Sequence, residues 1–281
     1  MDVQPLSPAL GAEIRGLDLA RVLDPAAAAA LRKLWLDHGV LLIRDQRLEV
    51  PQLVAFSRLF GELEPPPASE AGTREELAGE PVWYISNVVE DGRPIGSLGY
   101  AEAEWHTDMF YLEEPPTASI LHARDGPATG GNTSFASMYA AFDALPESLR
   151  ARLEGIALRH DSSTTSAGEL RRGAAAVADV TRASGARHPA IRTHPETGWR
   201  CLYLGRRRNA YVEGLGLAES ESLLDEVWAH CRDSRFAWEH AWRPGDLVIW
   251  DNRCVIHRRD AFDPAARRVM LRTQVRGDRP F

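Results

Sequence analysis

The residues best suited to chemistry are in the segment Trp105-His106-Thr107-Asp108. Side chains alternate along a strand, so a strand here sends His106 and Asp108 to one face and Thr107 to the other. A second histidine, His257, follows the Asp251-Asn252 turn and is expected on the strand after Trp250. Two neutral imidazoles and one carboxylate on one side of a metal form the facial triad of non-haem Fe(II) oxygenases, with positions left open for substrates. The same three groups also suit a catalytic zinc that activates a water. A lone His-x-Asp arises by chance in many chains, so the argument needs a second feature. Arg268, Met270 and Arg272 supply it, because period two puts both guanidinium groups on one face. Facing a barrel interior, they demand anionic partners, and arginine suits bidentate capture of a carboxylate or sulfonate. Facing water, they are an ordinary solvated surface, and the intervening Val269 and Leu271 do not decide between the two.

These side chains need elements to hold them. Asp24-Pro25 places an N-cap before a proline at the first helical position, and Leu31, Leu34 and Trp35 continue at helical spacing to Gly39. Val40 to Ile43 reads as a buried strand, and Gln52 to Phe60 as a helix. From Val82 onward, short apolar or alternating segments separated by turn residues read as an antiparallel barrel or sandwich. The expected strands are Val82–Ser86, Trp105–Tyr111, Ala118–Ala123, Ala190–Thr193, Cys201–Leu204, Phe236–Trp242, Asp246–Trp250, Cys254–His257 and Arg268–Val275. Helices are expected over Ser137–Leu153 and Ala218–Cys231. The expected class is mainly β with flanking α, in one domain over residues 1–281. Ser162–Arg187, rich in Ser, Ala, Gly and Arg, reads as a lid or as irregular filler.

Acidic residues outnumber basic ones by 40 to 33, a formal net charge of −7. Long-range attraction to nucleic acid or an anionic membrane is therefore not expected, and any anion must be caught locally. No run of eighteen apolar residues exists, and Met1 to Leu10 contains Asp2 and two prolines where a secretory signal needs a basic start and an apolar stretch. A cytoplasmic enzyme is expected. Cys201, Cys231 and Cys254 are odd in number and widely spaced, which reads as buried free thiols. Gly214-Leu215-Gly216 lacks the third glycine of a dinucleotide fingerprint.

Separated motifs in the right order carry a family resemblance. They are Gly11 to Leu19, Trp105 to Asp108, Pro127 to Thr133 with Gly130-Gly131, Arg192 to Pro195, and Gly245-Asp246 through Trp250 to Arg253, His257, Arg267-Arg268 and Arg272. The chain resembles the Fe(II)- and 2-oxoglutarate-dependent dioxygenases of the taurine dioxygenase and dichlorophenoxyacetate dioxygenase family over nearly its whole length. The resemblance implies a double-stranded β-helix (jelly-roll) core with helical insertions. It implies His106, Asp108 and His257 as iron ligands, Arg268 and the Thr133 hydroxyl on the distal carboxylate of 2-oxoglutarate, and Arg272 on an anionic group of the substrate. It further implies use of O2, hydroxylation of a C–H bond, and release of succinate and CO2. The expected partner is a small anionic organic molecule: a sulfonate, an alkyl sulfate, an aryloxyalkanoate or a related acid. Relatives often form dimers or tetramers, which the composition itself does not show.

Glu102 departs from the taurine dioxygenase pattern, which has an amide side chain near its substrate four residues before the first ligand. A carboxylate there disfavours a second substrate anion and favours an amine or hydroxyl. Tyr100, with Met109, Phe110 and Tyr111, is a candidate for the pocket wall, although an aromatic beside a core strand is more often plain packing. Arg206-Arg207-Arg208 reads chiefly as a solvated loop, with one arginine closing over an anionic substrate as the sharper alternative. His160-Asp161 and His194 read as structural. The rivals to an oxygenase are a zinc hydrolase on the same triad, which leaves Arg268 and Thr133 without a role, and a non-catalytic anion-binding barrel, which predicts a damaged triad.

Overall fold

Val40–Ile43 is buried along its whole length, and its side chains divide between two cores. Val40 and Leu42 enter one apolar cluster, Leu41 and Ile43 the other, as period two requires. Its neighbour Leu247–Asp251 does the same: Val248 and Trp250 join the first cluster, Leu247 and Ile249 the second. These strands belong to an eight-stranded sheet of the computed structural model, which describes residues 1–66, 77, 79–101, 103–171 and 173–281. The strand order is Asp2–Pro5, Ala12–Arg15, Val40–Ile43, Leu247–Asp251, Ala118–Asp125, Val269–Val275, Trp83–Ser86, Ser97–Leu98. A four-stranded sheet contains Ala237–His240, Thr133–Ser137, Val255–Arg259 and Ala103–His106 in that order. The first cluster joins the sheets, since it holds Phe135, Ala136 and Ile256 of the small sheet beside Val248 and Met270 of the large one. The architecture is mainly β with fewer helices. Among the described residues, no helix is long and apolar enough to cross a membrane.

The second cluster lies between the outer face of the large sheet and the helices Pro25–His38 and Val50–Ser57. The first of these helices starts where the sequence signals it, with the Asp24 carboxylate accepting from the Ala27 amide at 2.8 Å. It stops at Gly39, whose φ of 69° is left-handed backbone that favours glycine. The expected Gln52–Phe60 helix runs instead from Val50 to Ser57 and then tightens into a 3₁₀ turn, Arg58–Phe60. The expected helix over Ser137–Leu153 is two short ones, Met138–Asp143 and Glu147–Leu153, separated at Pro146, which cannot continue the backbone ladder. The strand Thr133–Ser137 was not anticipated; all five of its residues are buried.

The C-terminal strand settles the orientation of its arginines. Leu271 and Val275 belong to the helix-side cluster, and the Thr273 hydroxyl meets Ser57 of a helix at 2.7 Å. Arg268, Met270, Arg272 and Gln274 therefore face the space between the sheets, where Arg268 and Arg272 are buried.

Candidate active site

His106 and His257 are direct cross-strand partners at the seam between Ala103–His106 and Val255–Arg259. Their ring centroids lie 4.3 Å apart. The strand that carries His106 ends there rather than running on to Tyr111, and a turn follows in which Met109 takes φ 47°. The backbone at Thr107 is held by its amide donating to the Gly205 carbonyl at 2.9 Å. Its hydroxyl, pointing away from the site, donates to the carbonyls of Val255 and Asn252 at 3.0 and 3.2 Å. Gly205 cannot carry a side chain, because its φ is 65° and a Cβ would fall 2.5 Å from the His160 ring. Through this kinked path Asp108 still returns to the face of His106. The Asp108 Oδ1 atom lies 3.7 Å from the Nε2 of both histidines, and one donor atom from each residue falls within 4.8 Å of the others.

The surroundings set the protonation of these atoms. His106 Nδ1 donates to the Glu104 carbonyl at 2.7 Å, which keeps the proton on that nitrogen and leaves Nε2 with its lone pair. Burial pushes both imidazoles down, His257 to about 3 with His106 and Arg272 adding to the effect. For Asp108, burial alone raises the pKa. The Arg272 guanidinium and then the two imidazoles overcome it and hold the carboxyl well below the usual range. Two neutral imidazoles beside an ionised carboxylate are the protonation states a divalent metal needs. In the metal-free protein this has a cost at low pH. The unfolded chain protonates these histidines below about pH 6.5 while the folded chain does not, so stability should fall as pH drops from there towards the depressed folded values. Melting temperatures of metal-free protein across that range test this; the slope should shrink in His257→Gln, and an equal slope would contradict it.

Residues that the sequence reading did not single out fix Asp108. Ser119, fully buried, donates its hydroxyl to Asp108 Oδ2 at 2.7 Å. The same oxygen accepts from Arg272 Nη2. Ser119 Oγ also receives Arg272 Nη2 at 3.0 Å, Asn252 Nδ2 at 3.0 Å and Gln274 Nε2 at 3.1 Å. Oδ2 is thus occupied by protein donors, and Oδ1 is left aimed at the histidines. Period-two spacing places Gln274 beside Arg272, but Ser119 carried no sequence signal that would separate it from an ordinary strand serine.

The triad opens on a cavity of about 430 Å³. Trp83, Ile85, Met109, Phe110, Leu121 and Trp250 supply apolar wall, and Thr133, Arg268 and Arg272 polar wall. Arg268 is 2% exposed, and its Nε and Nη1 have no partner among the described residues. Burial, and then the neighbouring Arg259, lower its pKa to about 9, which marks a site that calls for an anion. Thr133 Oγ1 accepts from Trp242 Nε1 at 2.8 Å, so its own proton is free to be donated. Arg272 is spent partly on Asp108, but its buried Nε is unpaired.

The remaining candidates are placed as follows. Tyr100 is 49% exposed and is not among the cavity-lining residues, because its backbone is held at the surface by the Phe262 amide. Glu102 lies outside the described residues. Met109, Phe110 and Tyr111 all line the cavity. Of the arginine cluster, Arg207 is paired to Glu221 and Asp225, and Arg208 to Glu104. Arg206 lines the cavity but directs its guanidinium at the Thr164 hydroxyl, 2.7 Å away, and at the Thr164 and Thr165 carbonyls. It therefore fastens part of the 162–187 segment, which also receives the Glu104 amide at the Ser166 carbonyl. Thr165, Ser166, Ala167, Leu170 and Arg171 of that segment form cavity wall. His194 donates to Asp251 at 3.1 Å, and Cys254 adds a third potential ligand. Arg253 already grips both oxygens of Asp251, which gives that group a structural role.

A family model described as "Taurine catabolism dioxygenase TauD, TfdA family" matches residues 2–274. The chain is 34% identical to an (S)-phenoxypropionate/alpha-ketoglutarate-dioxygenase of Sphingobium herbicidovorans, covering 99% of this chain and 95% of that one. It is 35% identical to a pentalenolactone F synthase of Streptomyces arenae, with 96% and 93% covered. Among solved structures, a taurine dioxygenase from Burkholderia xenovorans superposes with a TM-score of 0.80 at 32% identity, covering 99% and 90% of the two chains. AAD-2, solved with Mn(II) and N-oxalylglycine, superposes with a TM-score of 0.81 at 28% identity, covering 99% and 98%. With the match spanning both sheets, the triad and the C-terminal arginines, the chain belongs to the TauD/TfdA dioxygenase family.

Proposed function

We propose that His106, Asp108 and His257 hold Fe(II), and Arg268 with Thr133 the distal carboxylate of 2-oxoglutarate, in a dioxygenase that hydroxylates a C–H bond of a small anionic organic substrate. The observation that carries this reading is the buried, unpaired guanidinium edge of Arg268, sharing one cavity with the three metal-binding donors. A hydrolase built on the same triad gives that edge no anion. Bound there, iron and 2-oxoglutarate with O2 supply the oxidising chemistry and yield succinate and CO2 beside the hydroxylated product. The chain's own residues orient and exclude. Ser119 and Arg272 occupy Asp108 Oδ2, which leaves Oδ1 for the metal. Arg268 and Thr133 set the direction of the oxo acid through a charge-assisted pair and a hydroxyl donor. Arg272 presents its remaining N–H groups to the acidic head of the substrate. Trp83, Leu121 and Trp250 keep water from the reacting bond and strengthen each of these contacts.

We read the two sheets as the two halves of a double-stranded β-helix over residues 1–281, supported by the single apolar cluster that joins them. The 162–187 segment is the cavity's lid. Relatives named for phenoxypropionate, 2,4-dichlorophenoxyacetate, sulfate esters and sulfonate support a carboxylate, sulfate or sulfonate as the head group. The test is succinate release from 2-oxoglutarate by iron-loaded protein, screened with aryloxyalkanoates, alkyl sulfates and sulfonates. Stimulation by one class is expected. A protein that binds neither metal nor 2-oxoglutarate, and forms no succinate with any of them, overturns the reading.

A further inference from the structure

Five arginines line the cavity among the described residues (Arg171, Arg206, Arg259, Arg268 and Arg272) against one carboxylate, Asp108. The proposed chemistry accounts for Arg268 and Arg272. Arg206 is committed to the lid backbone and to Asp161, 3.5 Å away, and Arg259 donates to the Ala101 carbonyl. Arg171 remains. Its backbone amide donates to Ser163 and its Nε to the Thr164 carbonyl at 3.3 Å, which fixes the stem to the lid. Among the described residues, neither of its terminal nitrogens has a hydrogen-bond or carboxylate partner. The guanidinium lies over the face of Tyr111, 4.5 Å from the ring centroid, a cation–π geometry that orients it without neutralising it. Tyr111 also lines the cavity, and its hydroxyl has no partner among the described residues. A paired cation and phenol at a cavity wall form a donor cluster with no protein acceptor to fill it.

We propose that Arg171 and Tyr111 form a second acceptor-binding subsite, so that the favoured substrates carry a second anionic or strongly hydrogen-bond-accepting group besides the head taken by Arg272. This rests on the assignment of the cavity as the dioxygenase site. It runs against the expectation drawn from Glu102, which lies outside the described residues. The lid thereby reads substrate chemistry as well as covering it: a ligand that reaches Arg171 bridges the lid and the C-terminal strand, and a shorter one does not.

The test uses full-length protein loaded with Mn(II) and N-oxalylglycine, the pair held by AAD-2, so that binding is read without turnover. Calorimetric titration compares phenoxyacetate, with one carboxylate, and 4-carboxyphenoxyacetate, with two. The dianion is expected to bind about tenfold more tightly, the scale of one charge-assisted contact in a partly wet site. Arg171→Gln should abolish that preference, so that the two acids bind the variant with equal affinity. Arg171→Lys, which keeps the charge but not the fork, should retain part of it. Equal affinity for the two acids in the unaltered protein, a preference that survives Arg171→Gln, or binding of neither acid to protein that holds N-oxalylglycine each overturns the subsite and spares the dioxygenase reading. Failure to take up Mn(II) and N-oxalylglycine overturns both.

Discussion

Arg268→Ala should raise the 2-oxoglutarate concentration required for half-maximal succinate formation by roughly 10- to 150-fold, the equivalent of about 1.5–3 kcal/mol for a lost charge-assisted contact. The size follows from the position of the side chain. Arg268 is 2% exposed, with Nε and Nη1 unpaired, so water is a poor replacement for the carboxylate it should grip. Its loss also removes a cation from beside Arg259, which relieves repulsion in the folded chain. The variant should therefore fold at least as well as the parent while binding the oxo acid poorly, a separation that a merely structural arginine does not give. Arg268→Lys should fall between the two, because it restores charge without the bidentate fork. Steady-state kinetics with 2-oxoglutarate varied, alongside thermal melts, make the comparison. An unchanged half-saturation with normal stability would show that the carboxylate is held elsewhere.

Asp108→Ala should lose metal-dependent turnover by more than the roughly 10- to 100-fold that outer-sphere substitutions around a metal cost. It removes the only carboxylate of the triad and the charge that balances the ion. A second consequence is legible in the structure. Asp108 Oδ2 is the anionic partner of Arg272, and breaking a buried pair from one side costs about 3–5 kcal/mol when the remaining charge has no other partner. Ser119 still accepts from Arg272, and the cavity admits water, so the loss of stability should fall below that range. Asp108→Asn keeps the shape and a hydrogen-bond acceptor, so it should be more stable than the alanine variant and nearly as inactive. Succinate formation within tenfold of the parent in a folded Asp108→Ala protein would falsify the ligand assignment.

Much of the site was legible because the signals are local. Period two placed Arg268 and Arg272 on one face, whereas only the packing of Leu271 and Val275 against the helices shows that face to be the interior. The Asp24 cap and Gly39 marked the first helix to the residue. What was not legible depends on contacts distant in sequence. His106 and Asp108 do share a side, but a strand that ends at His106 and a turn through Met109 put them there, in place of the continuous strand expected to Tyr111. The Thr107 anchors that shape this path come from Gly205, Asn252 and Val255, which no local pattern connects to it. Ser119 and Gln274 gain their roles only when Ala118–Asp125 pairs with Val269–Val275. Tyr100 was a candidate for the pocket wall, and it is half exposed at the surface. The Arg206 cluster divides because each guanidinium meets a different neighbour: Thr164 of the 162–187 segment, the helix Leu217–Cys231, or Glu104.

The central claim is that the triad and Arg268 form one site, in which the metal and the distal-carboxylate grip hold a single 2-oxo acid between them. Anaerobic equilibrium binding of 2-oxoglutarate to metal-free protein, with and without Fe(II), tests it most directly. The account predicts one oxo acid per chain with iron present and much weaker binding without it, since neither end of the molecule suffices alone. Binding of equal strength with and without iron, or one iron per chain with no bound oxo acid, would contradict it.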